Sequence, residues 1–439
     1  MSLSLKPFPR STDNPDTPGG DVAVLASLSD AGVSDVLLPD HGPGDLILVL
    51  NCGSSSIKFA MFEAAGHIAR KPLWHGKIEG ISSSAPRFGE SGFGTEHVDL
   101  DAAAPYHDAL ALIRARVRAR LRGRRICAVA HRVVHGGSKY VAPVRIDSAV
   151  LADLKTYIPL APLHQPFALD AIETLLIERP DLVQIACFDT AFHHTLPDVE
   201  RMLPLSWDAW QNNLRRFGFH GLSYEYMSVA LAERYGDLAC GRVIVAHLGS
   251  GASLCAMQGL KSVATTMGFS ALDGLMMGTR CGALDPGVVL YLLQSLGMTP
   301  DELGHKLYHE SGLLGVSGMS ADPRVLLDAE SHSEPARAAL ALYVRRIVRE
   351  IGALVAVLGG LDMLVFTAGI GEHSDILRAR ICRALGFVGV QLDPDANATH
   401  APLISGPHSR VMVAVEPTNE EWIAALRTAA LIAAGDVLL

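Results

Sequence analysis

The sequence predicts an α/β protein whose two halves repeat one plan, and three observations carry that expectation. Leu46-Ile-Leu-Val-Leu-Asn-Cys-Gly-Ser-Ser-Ser-Ile-Lys-Phe-Ala-Met-Phe62 is an apolar run of β formers that breaks at a small polar turn and resumes as a second strand. Val243-Ile-Val-Ala-His-Leu-Gly-Ser-Gly-Ala-Ser-Leu-Cys-Ala-Met257 does the same, with Gly53 and Ser54 matching Gly249 and Ser250, and Ala60 and Met61 matching Ala256 and Met257. The length of 439 residues exceeds the size at which one core stops growing, so two domains are expected. Glycine lets backbone approach a ligand, and serine hydroxyls beside backbone N–H groups suit phosphate oxygens. One such turn per half is the plan of a duplicated nucleotide-binding fold with its ligand in a cleft between the halves.

Composition narrows the function classes. Hydrophobic residues make up 49% of the chain, enough for two cores, and the formal net charge of -9 argues against a nucleic-acid partner. The seven cysteines are unpatterned, which suggests a reducing compartment. The opening segment has no charged-then-apolar leader and no apolar run is long enough to span a bilayer, so a cytoplasmic protein without a membrane partner is expected.

Residues 1–44 are rich in Pro, Gly, Asp and Ser around one apolar patch, Val22 to Leu28, and read as a loosely ordered extension. After the opening hairpin, Ala64 to Glu96 continues in short strands and Gly/Ser turns. Leu110, Ile113, Val117 and Leu121 then form a stripe at helical spacing, and the arginines between them read as a solvated helix face. Ile126 to Gly137 is a strand ending in Gly-Gly. Its His131 and His135 give a weak zinc signal, and Arg132 is either a clamp for an anionic group or an ordinary salt bridge. His164 lies in a proline-ruled loop before a helix from Phe167 to about Glu178, and Val183 to Phe188 is a strand emptying into Asp189, a ligand-site position or a helix cap.

In the second half His220 stands between Gly218-Phe219 and Gly221, ahead of a helix through Tyr224 to Ala232. The segment from Met267 to Gly287 has the composition of a loop closing over a substrate, with Arg280 as its charged tip or as a solvated surface residue. Gly312 to Arg324 reads as a further Gly/Ser loop, and a long helix follows at about Glu334 to Leu358. Met363 to Ser374 reads as strand, glycine loop and helix start, and Val411 to Trp422 as a strand ending in Glu420 and Glu421 before a C-terminal helix.

Neither G-x-x-x-x-G-K-[ST] nor G-x-G-x-x-G occurs. The ordered set Asn51-Cys-Gly-Ser-Ser-Ser-Ile-Lys58, His131-Arg-Val-Val-His-Gly-Gly137, Phe188-Asp-Thr-Ala-Phe-His193, Arg216-Phe-Gly-Phe-His-Gly221, Gly278-Thr-Arg280 with Leu284-Asp-Pro286, Phe366-Thr-Ala-Gly-Ile-Gly-Glu372 and Thr418-Asn-Glu-Glu421 instead resembles the acetate kinase family, of the acetate and sugar kinase, Hsp70 and actin superfamily. The likeness runs from about residue 46 to 430. It implies two duplicated actin-like (ribonuclease H-like) domains, 45–190 completed by a C-terminal helix 422–439, and 191–421, the latter for nucleotide binding and dimerisation. The implied reaction is reversible, Mg²⁺-dependent transfer of the ATP γ-phosphoryl group to acetate, giving acetyl phosphate and ADP. Mn²⁺ is a possible substitute and a homodimer is implied.

The resemblance also implies roles. Arg132 and Arg280 screen charge, His220 hydrogen-bonds the phosphoryl in flight, and Asp189 orients an arginine or the metal site. Arg132, Val134, Leu163, His164, Phe219 and Ala271 line the acetate pocket. Asn51, Ser54, Ser56 and Lys58 form the first phosphate hairpin, and His247, Gly249, Ser250 and Gly251 the second. Asp322, Arg324, Gly369, Ile370, Gly371 and His373 hold the adenine end, and Asn51 and Glu420 the metal. The residue types suit this chemistry: a carboxylate with a pKa of roughly 4 to 5 is already ionised, so no general base is needed. Charge repulsion is the obstacle, which calls for cations and a metal.

Departures from the family pattern fall at Ser250, where Asn is usual, at His373, at Pro323, and at Ala271, where proline is frequent, so a larger acyl pocket that accepts propionate is an alternative. Two others are a sugar kinase, with Asp189 as base, and a non-enzymatic ATP switch of the actin or Hsp70 type. The loop arginines argue against the first, because a neutral sugar does not need them.

Overall fold

A computed structural model describes residues 44–436 except 54, 66 and 163; the extension 1–43 and its Val22–Leu28 patch lie outside the described residues. The described chain forms two compact units, residues 44–191 with 419–436, and Phe192–Thr418.

The first unit holds strands β1 (Asp45–Cys52), β2 (Ser56–Glu63), β3 (Trp74–Glu79), β4 (Arg87–Glu90), β5 (Thr95–His97), β6 (Arg125–Val133), β7 (Val144–Arg145) and β8 (Val183–Phe188). They form one sheet in the order β5-β4-β3-β2-β1-β6-β8-β7. β1 is central and buried on both faces, which explains its unbroken apolar run. Leu46, Leu48 and Leu50 share a core with Ile113 and Val117 of the helix Pro105–Arg120 and with Ala168 and Ala171 of the helix Gln165–Glu178. The C-terminal helix Glu420–Asp436 packs on β1, β6 and β8, and its Trp422 donates its indole N–H to the Ile68 carbonyl at 2.9 Å. The arginines of the helix Pro105–Arg120 do more than face solvent: Arg114, Arg116 and Arg120 pair with Glu178, Glu96 and Glu90, stitching it to its neighbours.

The second unit contains β9 (Arg242–Leu248), β10 (Ala252–Gln258), β11 (Lys261–Thr265), β12 (Met363–Thr367) and β13 (Met412–Val415), ordered β11-β10-β9-β12-β13. The long helix Glu334–Leu358 packs on it, started by Ser333, whose hydroxyl accepts from the Ala336 N–H, and ended by Gly359 in the left-handed region at φ 70°.

The two sheets share a frame. In each, the first strand pairs antiparallel with the second, the second antiparallel with the third, and the first parallel with the fourth, which pairs parallel with the fifth: β1-β2-β3-β6-β8 in one unit and β9-β10-β11-β12-β13 in the other. This is the duplicated α/β architecture that the two hairpins predict.

One expected match moves. Cys52 pairs with Ile57 across a four-residue turn, whereas Leu248 pairs with Ala252 across a three-residue turn. The return strand of the second hairpin is therefore displaced by one position, and Ala60 and Met61 correspond to Cys255 and Ala256, not to Ala256 and Met257. Because side chains alternate, one step exchanges the faces. Two expected loops are also more regular than their composition suggests. Gly312–Ser317 is a short helix, and helix begins directly after β12 at Ala368–His373, so Gly369, Ile370 and Gly371 lie within a helical turn. Among the described residues no helix is long and apolar enough to cross a membrane.

Candidate functional site

The first unit gathers charge at the C-terminal ends of its parallel strands. Arg132 of β6 donates from Nε to Asp189 Oδ1 at 2.9 Å and from Nη2 to Asp189 Oδ2 at 2.6 Å, a two-point contact just past the end of β8. Its Nη1 lies 3.3 Å from Glu420 Oε2 at the start of the C-terminal helix. Burial works to lower the Arg132 pKa, but the Asp189 and Glu420 charges outweigh it and hold the guanidinium above its ordinary value. Burial pushes the Asp189 carboxyl up, Arg132 pulls it down, and the Glu420 charge adds to the push. Asp189 is thus the ion-pair partner of Arg132.

Around this cluster, Asn51 ends β1 opposite Lys58 of β2, with Asn51 half-buried and Lys58 exposed. The turn between them is closed by the Gly53 N–H donating to the Ser56 carbonyl at 2.8 Å and anchored by the Ile81 N–H on the Ser55 carbonyl at 3.1 Å. Val134 follows β6, and His164 precedes the first turn of the helix Gln165–Glu178; both are half-buried. Ser54 and Leu163 lie outside the described residues. His131 and His135 are core rings: His131 Nε2 sits 2.8 Å from Gln184 Oε1, and His135 Nδ1 accepts the Gly137 N–H at 2.9 Å. Burial lowers their pKa values to about 4 and about 3.

The second unit builds its part of the site on the turn after β9. His220 takes the left-handed conformation, φ 59°, immediately before the helix Gly221–Tyr235. Its ring stacks on His247 with centroids 4.1 Å apart and planes 17° from parallel. His220 Nδ1 meets Ser253 Oγ at 2.8 Å, and His247 Nδ1 meets Ser223 Oγ at 2.9 Å. The other ring nitrogens face the turn. A Cβ on Gly251 would stand 3.3 Å from His220 Nε2 and 3.5 Å from Arg280 Nη1, and one on Gly249 would stand 3.8 Å from His247 Nε2. Gly249, Ser250 and Gly251 thus meet two imidazoles and a guanidinium. The approach to His220 depends on Gly218, φ 79°, where a Cβ would fall 2.5 Å from the His193 ring. His193 Nε2 in turn meets the Phe219 carbonyl at 2.9 Å, and Phe219 is buried.

Arg280 does not ride on a free flap. Ser311 donates to the Thr279 carbonyl at 2.9 Å, and Leu313 and Leu314 donate to the carbonyls of Met277 and Gly278, each at 2.9 Å. Leu275, Met276 and Met277 are buried, so the apolar half of this glycine-rich segment anchors it. Arg280 Nη1 donates to the Ala271 carbonyl at 3.2 Å, which brings two predicted residues together.

Further out, Asp322 caps the helix Pro323–Ala329 and pairs with Arg324, Nη2 to Oδ2 at 2.6 Å; Arg324 is exposed. Gly278 links this loop to the turn, donating its N–H to the Ser250 carbonyl at 3.4 Å, while its Cβ position would lie 3.3 Å from the Ala321 carbonyl. Gly369 is exposed with open space at its Cβ position, Gly371 packs against β9, and His373 is exposed.

Sequence reasoning missed the supports. Tyr224 stands one helical turn after His220, a spacing that could have shown it, and its hydroxyl lies 2.5 Å from Ser253 Oγ. Thr418 donates to Ser223 Oγ at 2.9 Å. Arg378 is fully buried: Nη1 donates to the Gly371 and Glu372 carbonyls at 2.8 Å each, Nε and Nη2 to Asn397 at 2.9 Å each, and Nη2 also meets His400 Nδ1 at 2.8 Å. Nothing in the sequence near Arg378 distinguishes it from its neighbours Arg380 and Arg383.

Comparison with known proteins bears on this arrangement. The model of the acetokinase family matches residues 46–426. The chain is 49% identical over 392 residues to an acetate kinase of Rhodopseudomonas palustris strain TIE-1, covering 87% of this chain and 97% of that one. Among solved structures it is similar to Porphyromonas gingivalis acetate kinase, at 35% identity and TM-score 0.78 over 88% of this chain and 100% of the other. It is likewise similar to a propionate kinase from Francisella tularensis subsp. tularensis SCHU S4, at 33% identity and TM-score 0.81, covering 87% and 98%.

Proposed function

Because the chain belongs to the acetokinase family, and is on that ground a phosphotransferase acting on acetate, we propose a division of labour between its residues in the reversible reaction of ATP and acetate to ADP and acetyl phosphate. Arg132, fixed by Asp189, and Arg280 screen the approach of an anionic nucleophile to an anionic phosphoryl group. His220 hydrogen-bonds the phosphoryl oxygens as they move, and Gly249, Ser250 and Gly251 with His247 hold the phosphate tail. Val134, Leu163, His164, Phe219 and Ala271 enclose the acetate, and Asp322, Arg324, Gly369, Ile370, Gly371 and His373 serve the adenine end. The convergence of His220 Nε2 and Arg280 Nη1 on Gly251 carries this reading: a ring nitrogen and a cation meet at a turn of small residues.

Mg²⁺ fits the first unit. Glu420, Asn51 and Asp189 offer hard oxygen donors, and among the described residues no group of three or more His, Cys, Asp or Glu forms a closed cage. Mg²⁺ keeps waters and substrate phosphates and takes only one or two carboxylates from protein, so Asn51 and Glu420 are its proposed ligands, with Mn²⁺ as a substitute. When bound, the ion would neutralise phosphate charge.

We further propose a cytoplasmic homodimer formed through the second unit. The helix Pro286–Gln294, Pro-Gly-Val-Val-Leu-Tyr-Leu-Leu-Gln, buries none of its residues; Leu290 is 52% and Tyr291 57% exposed. Sedimentation equilibrium should find twice the mass of the chain. Propionate is a second substrate reading, favoured by the likeness to a propionate kinase and by Ala271 beside Arg280.

The test is direct. Incubation with MgATP, hydroxylamine and acetate, propionate, butyrate or glycerol should give ADP and acyl hydroxamate with the short carboxylates. ADP without hydroxamate from any carboxylate would sink the acyl kinase reading, and the relative rates on acetate and propionate rank the two substrates.

A further inference from the structure

We propose that Tyr224 and Ser253 form a buried hydroxyl relay that fixes His220 as a neutral ring with its proton on Nε2, which makes Tyr224 a positioning residue for phosphoryl transfer. This deepens the reading above and rests on it, because the relay matters to turnover only if His220 meets the phosphoryl group.

Proton accounting carries the inference. Tyr224 and Ser253 are both fully buried, with Tyr224 Oη 2.5 Å from Ser253 Oγ and Ser253 Oγ 2.8 Å from His220 Nδ1. Burial pushes the phenol well above its ordinary range, so it keeps its proton. Ser253 is the hydrogen-bond partner of Tyr224 among the described residues. The arrangements of the protons differ in cost, and one in which Ser253 accepts from both Tyr224 and Nδ1–H strands the serine proton. If Tyr224 donates to Ser253 and Ser253 donates to Nδ1, every hydroxyl proton has an acceptor and the imidazole proton stays on Nε2. If Nδ1–H donates to Ser253 and Ser253 to Tyr224, the phenol proton is left in the core without an acceptor, again a costlier arrangement.

The neighbouring ring follows the same pattern. Thr418 donates to Ser223 at 2.9 Å, which leaves the Ser223 proton for His247 Nδ1 at 2.9 Å. Two imidazolium rings stacked at 4.1 Å would repel each other, so the stack disfavours charging both rings together. Both Nε2 atoms approach the Gly249 to Gly251 turn, so the relay sets N–H donors there, while Arg132, Arg280 and the metal supply the positive charge. A ring with its proton on Nδ1 would present a lone pair to phosphate oxygens.

Nitrogen NMR of the full chain labelled at histidine tests this, with His220→Gln used to assign the His220 signals. In the wild type, Nδ1 should appear bare and Nε2 protonated. Tyr224→Phe should mix the two tautomers and lower kcat about tenfold, the scale of one lost buried hydrogen bond, with KM for acetate and MgATP changed by less than about twofold. Ser253→Ala should act in the same direction and serves if Tyr224→Phe folds poorly. Tyr343→Phe removes another buried phenol, whose oxygen has no hydrogen-bond partner among the described residues, and should leave spectrum and kcat unchanged. A wild-type proton on Nδ1, or unchanged ring signals and kcat in both Tyr224→Phe and Ser253→Ala, would overturn the relay. The spectrum needs no turnover, so failure of the hydroxamate assay would reject the kinase reading separately.

Discussion

The two Gly/Ser hairpins share a strand polarity and differ in what surrounds them. Opposite one another in the first stand Asn51 and Lys58; the corresponding pair in the second is His247 and Ser253. Both turns close on themselves, Gly53 to Ser56 and Gly249 to Gly251, but the first leaves Lys58 exposed, whereas the second is walled by His220, His247 and Arg280. Duplication therefore preserved a frame that brings backbone N–H groups to a turn, and side chains on neighbouring segments divided the work. On the proposed reading both turns hold the phosphate tail and only the second has transfer groups beside it, a contrast that experiments can break.

The largest effect is expected at the two arginines. Arg132→Ala and Arg280→Ala should each lower kcat by about 3 kcal/mol, more than a hundredfold, because each removes a preorganised charge. Arg132→Ala also strands Asp189 and Glu420, both largely buried, and should lower the urea midpoint clearly. Lysine should rescue neither, since a point charge cannot reproduce the two-point contact of Arg132 with Asp189 or the planar donor fork of Arg280. Near-normal turnover in either alanine variant would refute the assignment.

Next in size is the comparison of glycines. Gly251→Ala places a methyl 3.3 Å from His220 Nε2 and should cost about a hundredfold in kcat, the penalty of displacing a positioned group by a fraction of an ångström to one ångström. Gly53→Ala meets the Ser56 carbonyl, also at 3.3 Å, and its hydroxyl at 3.9 Å, and should act mainly on KM for MgATP. Equal effects on kcat would remove the distinction between the turns.

Much of this was legible in the sequence because it rests on short-range pattern. An apolar run broken by small residues shows a strand and turn, and the two hairpins announced the duplicated sheets. Arg132 and Asp189 each had two local readings, and only the parallel pairing of β6 with β8 brings them together across 57 residues. The one-residue difference in turn length was invisible because both hairpins contain Gly-Ser and either register keeps apolar residues in place. The glycine-rich segment at 267–287 read as mobile because composition shows backbone freedom and not the carbonyls of Met277, Gly278 and Thr279 that later residues hold. Arg378 was hidden for the same reason, since its acceptors are main-chain carbonyls and residues up to 22 positions away.

Arg378 offers a third, smaller test on the second unit alone. It holds the Gly371 and Glu372 carbonyls of the turn Ala368–His373, and burial pulls its pKa down against the opposing charge of Asp375. Arg378→Met should raise KM for MgATP roughly fivefold, consistent with losing one or two buried hydrogen bonds, with a smaller change in kcat. An unchanged KM would show that the turn holds its shape unaided.

The smallest effect sharpens the comparison of the units through acid. Burial lowers the pKa of His131 to about 4 and His135 to about 3 in the first unit, and of His193 to about 4 in the second, from an ordinary value of 6.5. Below pH 6.5 the unfolded chain binds protons that these folded rings refuse, so their contribution is full above pH 6.5 and is lost as pH falls toward those values. Each ring should add about 1.4 kcal/mol per pH unit to the slope of stability in that window. The first unit should accordingly lose protection of its core amides to hydrogen exchange as pH falls from 6.5 to 4.5. His131→Gln, which can still bond Gln184, should flatten that loss in the first unit and leave the second unit's profile alone. Parallel profiles in wild type and variant would show that carboxylate protonation, and not these rings, governs the acid limit.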